Sequence, residues 1–143
     1  MGAYSRAKGV RFERAVATRL RKSGFIVHRI LEYDGFAVGA DLAAYDPKNR
    51  QLIRVAIQCK NTARERDLQV GLEEAKTGWP DALGWICVWN AGGSAGWRIL
   101  IQAKTEAIAT ESTWEHVCKF LWWAQMDNTP DITCFSDGEV VEF

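Results

Sequence analysis

The chain has 143 residues, 48% of them apolar, which is the size and composition of one globular domain with one core. It contains no run of about 18 apolar residues, and residues 1–14 lack the apolar centre of a secretory signal, so no membrane span and a cytoplasmic protein are expected. Formal net charge is zero, from 18 basic and 18 acidic residues, yet the charge is polarised along the chain. Residues 1–31 hold Arg6, Lys8, Arg11, Arg14, Arg19, Arg21, Lys22 and Arg29 against the single acid Glu13, whereas residues 105–143 hold Lys119 against eight acids. Such a distribution fits one face that binds a polyanion and another that avoids it, or simply two solvated faces.

Taken in order, residues 5–23 are predicted to form a helix, with Ser5 as its cap and Gly24 ending it in a left-handed turn. Phe12, Val16 and Leu20 make its apolar line, and Glu13 sits beside that line. Residues 25–31 form a first strand. The loop 32–40 contains glycines and leads into a second strand at 41–45. The turn 46–50 then returns the chain as a third strand, 51–60. Alternation puts Ile53, Val55, Ile57 and Cys59 on one face and Leu52, Arg54, Ala56, Gln58 and Lys60 on the other.

A second helix spans 64–77 with Leu68, Leu72 and Ala75 inward, closed by Gly78-Trp79-Pro80-Asp81. Residues 83–89 form a fourth strand, apolar on both faces, and 97–102 a fifth. Ser112 and Glu115 match a capping box for a third helix reaching Met126. Its stripe is Trp114, Val117, Cys118, Leu121 and Gln125, which leaves Phe120, Trp122 and Trp123 as a wide aromatic surface for a partner or for the rest of the domain. Residues 132–143 can form an edge hairpin. A crossover helix between the third and fourth strands implies a mixed α/β sheet. A single domain over 1–143 is expected, with a core at about 5–102 and an addition at 103–143.

The four cysteines, 59, 87, 118 and 134, are far apart with no C-x-x-C pair, as expected of reduced, buried thiols. His28 and His116 are too distant in sequence to suggest a histidine metal site or a catalytic triad. The chemistry-bearing residues lie elsewhere. Paired strands bring Asp41 near Gln58 and Lys60. An acid, an amide oxygen and a lysine at one sheet end can hold a divalent cation and steer a water. Asp41 is the anionic ligand in this scheme, with the Gln58 side-chain oxygen and the Cys59 backbone carbonyl beside it. Lys60 orients the water and neutralises developing charge, Glu13 completes the set directly or through water, and the basic first helix holds flanking phosphates.

The series Lys8-Gly9-x-x-Phe12-Glu13-Arg14, Gly24-Phe25, Gly39-Ala40-Asp41 and Ile57-Gln58-Cys59-Lys60 resembles the PD-(D/E)XK nucleases, and within them the archaeal-type Holliday junction resolvases, including versions carried by viruses. The resemblance covers residues 5–102 as topology and about fifteen positions as motif. It implies a restriction-endonuclease-like αβββαβ core, a homodimer, and Mg²⁺-dependent paired incision of four-way DNA junctions, with Mn²⁺ able to substitute. It matches catalytic roles to Glu13, Asp41 and Lys60, with Gln58 at the last catalytic position of the motif; the reading of the residues themselves puts the metal on Glu13, Asp41, Gln58 and the Cys59 carbonyl, and DNA contacts on Arg6, Lys8, Arg11, Arg14 and Arg54. Two positions depart from the pattern. Ala40 replaces the usual Pro, and Gln58 replaces a carboxylate, removing a charge that Glu32 or Asp34 can restore. The Q-x-K form is similar to Mrr-type restriction endonucleases, so a nuclease acting on duplex DNA is the alternative. A binding module that keeps the fold without catalysis is another.

Overall fold

The computed structural model describes residues 3–30, 40–92 and 96–126, with side chains from residue 8 onward. The first helix, α1, runs Ala3–Lys22, so Ser5 lies inside it and does not cap it. Gly24 follows at φ +104°, the left-handed conformation that an L side chain resists. Phe12, Val16, Ala17 and Leu20 are buried, and the apolar line seats α1 on the sheet. Removing the Leu20 side chain to Ala would cost about 2–5 kcal/mol.

Then come β1 (Ile26–Arg29), β2 (Leu42–Tyr45), β3 (Val55–Asn61), α2 (Arg66–Gly78), β4 (Gly84–Asn90), β5 (Trp97–Ala103), β6 (Thr110–Ser112) and α3 (Trp114–Met126). The six strands form one sheet in the order β1-β2-β3-β4-β5-β6. Neighbours are antiparallel except β3 and β4, which α2 connects in parallel. The expected mixed α/β sheet and αβββαβ order are therefore what the chain adopts.

Two cores cover the sheet. On one face α1 and α3 pack Val16, Leu20, Val117 and Leu121 against Leu42, Val55, Ile57, Ile86 and Ile99. On the other, α2 packs Leu68, Leu72 and Ala75 against Ala56, Trp85 and Cys87. The alternation foreseen for β3 thus sorts its side chains between two helical layers. β4 is buried along nearly its whole length, as its unbroken apolar run requires.

Three local expectations need correction. The third strand starts at Val55 and not at 51. Leu52 makes only an isolated bridge to Tyr45, and the Val55 N–H turns back to the Ile53 carbonyl at 2.8 Å, interrupting the strand. The helix cap is Thr113, whose Oγ1 accepts from the His116 N–H at 3.2 Å, because Ser112 is spent in β6. Phe120 is core and not surface. Its ring lies so close to Gly84 that a Cβ there would stand 2.4 Å from Cζ, and Trp123 stacks on its outer side at 5.5 Å. Trp122 and Trp123 remain partly exposed. The foreseen tail hairpin, Cys134, and the loop acids Glu32 and Asp34 lie outside the described residues. Among the described residues Cys59, Cys87 and Cys118 are free thiols, and no helix is long and apolar enough to cross a membrane.

Candidate active site

Asp41 stands just before β2 and is held by backbone and side chain together. Its N–H donates to the Ile57 carbonyl at 2.8 Å, and its own carbonyl accepts from the Ile30 N–H at 2.9 Å. Beyond the Leu42–Ile57 pair, β3 continues where β2 has not yet begun. There the Cys59 N–H finds no strand partner and donates instead to Asp41 Oδ2 at 2.8 Å. The N–H and C=O of one strand residue project to the same edge, so the Cys59 carbonyl also faces the Asp41 side.

Burial pushes the Asp41 carboxyl up to about 7; the Cys59 N–H opposes the rise, the Glu13 charge adds to it, Lys60 opposes it and Glu74 adds to it. Burial, more than neighbouring charge, therefore sets the Asp41 carboxyl. Burial likewise pushes the Cys87 thiol up to about 12 and raises Cys59, so both are inert thiols beside the site.

Gln58 and Lys60 point from β3 toward α2, as alternation requires. They meet a residue that the sequence did not single out, Glu74. Gln58 Nε2 donates to Glu74 Oε2 at 2.8 Å, and Lys60 Nζ donates to Glu74 Oε1 at 3.0 Å. One carboxylate thus bridges the amide and the ammonium. Gly71, one turn earlier on α2, makes room: a Cβ there would lie 3.0 Å from Lys60 Cγ and 2.5 Å from Cys87 Sγ. The Glu74 carboxylate only accepts, which fixes the amide with nitrogen toward Glu74 and oxygen away. That oxygen, Gln58 Oε1, is buried and has no hydrogen-bond partner. An orphaned buried acceptor is costly unless something else satisfies it.

Glu13 reaches from α1 to Arg29 at the end of β1, with Oε1 2.9 Å from Nε, and its charge is felt at Asp41. Among the described residues no three His, Cys, Asp or Glu side chains are gathered closely enough to hold a metal. The donors present are oxygens of another kind: the second oxygen of Asp41, the orphaned Gln58 Oε1 and the Cys59 carbonyl. Mg²⁺ takes hard oxygen ligands and keeps several waters, so one or two protein side chains suffice. The set fits that ion.

The remaining expected residues divide. Lys8 and Arg11 line a hollow of about 360 Å³ together with Asn61 and Asn90 at the same sheet end. Arg14 is exposed on α1, and the Arg6 side chain lies outside the described residues. Arg54 is at the opposite end of β3, six residues from Lys60, or about 20 Å at strand rise. There its Nη2 donates to the Asp81 carbonyl at 3.0 Å. The structure therefore gathers Asp41, Gln58, Cys59 and Lys60, brings Glu13 within electrostatic reach, and leaves Arg54 elsewhere.

No family model and no curated protein sequence matches the chain. Among solved structures it is similar to Hjc, a Holliday junction resolvase from the archaeal hyperthermophile Archaeoglobus fulgidus, with 20% identity, a TM-score of 0.46, and coverage of 78% of this chain and 96% of that one. At that identity and score the likeness adds no weight to the geometry above.

Proposed function

We propose that the chain is a divalent-metal-dependent DNA endonuclease that cuts branched DNA, in the manner of a four-way junction resolvase. The observation that carries this is the buried, unpartnered Gln58 Oε1 on the strand that pairs next to Asp41, with Lys60 tied to Gln58 through the Glu74 carboxylate. A phosphodiester bond is cleaved when a water is aimed at phosphorus and the added charge is stabilised. Asp41, Gln58 and the Cys59 carbonyl would hold Mg²⁺, or Mn²⁺ in its place, which would supply positive charge and a more acidic water. Lys60 uses one of its three N–H donors on Glu74 and keeps the others for a water or a phosphate oxygen. Glu74 returns to the site the negative charge that Gln58 lacks. Glu13 adds to the same potential from α1.

Branched rather than linear DNA is favoured by economy. The chain would act as one domain, inside the cell, and a junction can be recognised by shape and backbone contacts without a base sequence being read. A homodimer would present two sites for paired incision, and the exposed indoles of Trp122 and Trp123 on α3 are the candidate contact. The deciding experiment is cleavage of a labelled four-way junction and its matching linear duplex, in Mg²⁺, in Mn²⁺ and in EDTA. Junction cutting in either metal and none in EDTA supports the proposal. Preference for the duplex would transfer the site to an Mrr-like or nicking nuclease. Binding without cutting in any metal would make it a DNA-binding module.

A further inference from the structure

The basic residues of α1 differ in what they touch. Arg21 donates to the Val27 carbonyl, whereas Arg14 is exposed. The Arg19 guanidinium has no hydrogen-bond or ion-pair partner among the described residues, yet it is not loose. Its guanidinium lies 4.9 Å from the Trp114 ring centroid and 5.8 Å from that of Trp97. Both indoles are themselves fixed. Trp97 packs edge-on against Phe12 at 5.3 Å, the two indoles meet at 5.9 Å, and Trp114 Nε1 donates to Ser23 Oγ at 3.5 Å. Gly96, at φ +81°, turns the chain into Trp97. An arginine stacked in this way keeps its plane while its N–H donors stay open to solvent, which is how planar recognition of phosphate is prepared.

The surroundings extend the feature. Arg19 borders a hollow of about 660 Å³ that also includes Lys22 and Trp97. Trp97 in turn borders the hollow lined by Lys8, Arg11, Asn61 and Asn90. A single basic track therefore runs along α1 from the candidate active site to Lys22. From Lys8 to Lys22 it covers about 21 Å at helix rise, or about six nucleotide steps.

We infer that this track is a second DNA-backbone site, in which Arg19, packed against Trp97 and Trp114, binds a phosphate about 16 Å, or about five nucleotide steps, along the track from Lys8. The inference rests on the nuclease reading for the identity of the polyanion, but the site itself is separate from the metal-holding residues. It is chosen over a protein partner because the track carries four cations and, among its described lining residues, no acid.

The test is fluorescence anisotropy of a labelled four-way junction, titrated with the full chain in EDTA at several salt concentrations, beside single-turnover cleavage at saturating protein. Arg19→Gln is expected to weaken binding about tenfold and to lower the slope of log affinity against log salt by about 0.9, the value for one lost phosphate contact. Arg19→Gln with Lys22→Gln should lower it by about 1.8. The cleavage rate at saturation should stay unchanged, since neither residue touches the reacting atoms. Arg19→Lys should keep the slope while losing part of the affinity, because it keeps charge without the stacked plane. Lys48→Gln, an exposed charge on the β2–β3 turn, should leave the slope alone. Wild-type slope in Arg19→Gln, or an equal loss in Lys48→Gln, would overturn the subsite while leaving the nuclease standing. A wild-type chain with no affinity for DNA would overturn both.

Discussion

The two ends of β3 carry side chains on one face and use them in opposite ways. At its start Arg54 donates to the Asp81 carbonyl, and its own carbonyl accepts from the Leu83 N–H at 2.6 Å. That end is closed by its own backbone. At its finish Gln58 and Lys60 share one carboxylate, an amide oxygen has no partner, and Asp41 holds a carboxyl at about 7. That end concentrates polar groups whose needs the chain does not meet by itself. The difference teaches where to look for function on a sheet: at the strand end where an acid, an amide and a lysine converge, not where a charged residue merely occurs.

The largest effect should come from removing the anion at the open end. Asp41→Asn should cut DNA on the order of 10³-fold more slowly in single-turnover assays, with an unchanged circular dichroism spectrum, since the new amide oxygen still accepts from Cys59. Arg54→Ala, at the closed end, should leave the cleavage rate within about twofold and lower stability by about 1 kcal/mol, the value of one net hydrogen bond, read as a lower melting temperature. If Arg54→Ala abolishes cutting while Asp41→Asn does not, the two ends have been assigned the wrong way round.

Glu74→Gln comes next. It should slow cleavage about 10–100-fold and raise the Mg²⁺ needed for half-maximal rate, as expected for a group that orients the residues doing the work. An unchanged Mg²⁺ dependence would reduce Glu74 to an ordinary surface carboxylate.

Gln58→Glu places two carboxylates within hydrogen-bonding distance. In EDTA it should be destabilised, and Glu74→Gln in the same chain should recover that loss, with a coupling of about 0.5–3 kcal/mol in a double-mutant cycle from urea denaturation. Additive effects would mean that the two side chains do not face each other. Mg²⁺ should stabilise Gln58→Glu more than the wild type, because the ion then meets an added charge.

A further effect concerns pH. Because the folded Asp41 carboxyl is raised from its usual 3.8 to about 7, the folded chain holds a proton that the unfolded chain releases. Stability from this group is full below about 4 and lost as pH rises through 7. In EDTA, melting curves of wild type and Asp41→Asn should therefore diverge between pH 4 and 7, with the wild type losing ground. Parallel curves would show that Asp41 ionises at its usual pH.

Much of the open end was legible in the sequence because β3 alternates cleanly and because Asp41 opens the strand next to it. The correct side of the sheet followed from period two alone. Glu74 was not legible. Residues 73 and 74 are both glutamates on an amphipathic helix, and period 3.6 says only that 74 borders buried Ala75 and Gly71. Its partners, Gln58 and Lys60, lie on the strand beneath the helix, 16 and 14 residues away in sequence, and no local pattern encodes that contact. β6 escaped notice because Thr110-Glu111-Ser112 is a polar edge strand with no apolar alternation, defined only by pairing with β5. Both misplaced caps, Ser5 and Ser112, reflect how weakly a single hydroxyl sets a helix start when neighbouring residues compete.

The hydrogen bond from Cys59 to Asp41 has a spectroscopic consequence. A backbone amide proton that rests on a titrating carboxylate reports that carboxylate directly. In a ¹H–¹⁵N correlation spectrum the Cys59 resonance should move as Asp41 loses its proton near pH 7, and move again as Mg²⁺ is added, while amides at the Arg54 end stay still. The protein thus carries, in one peptide group, its own indicator of what occupies the site, readable without DNA and without turnover.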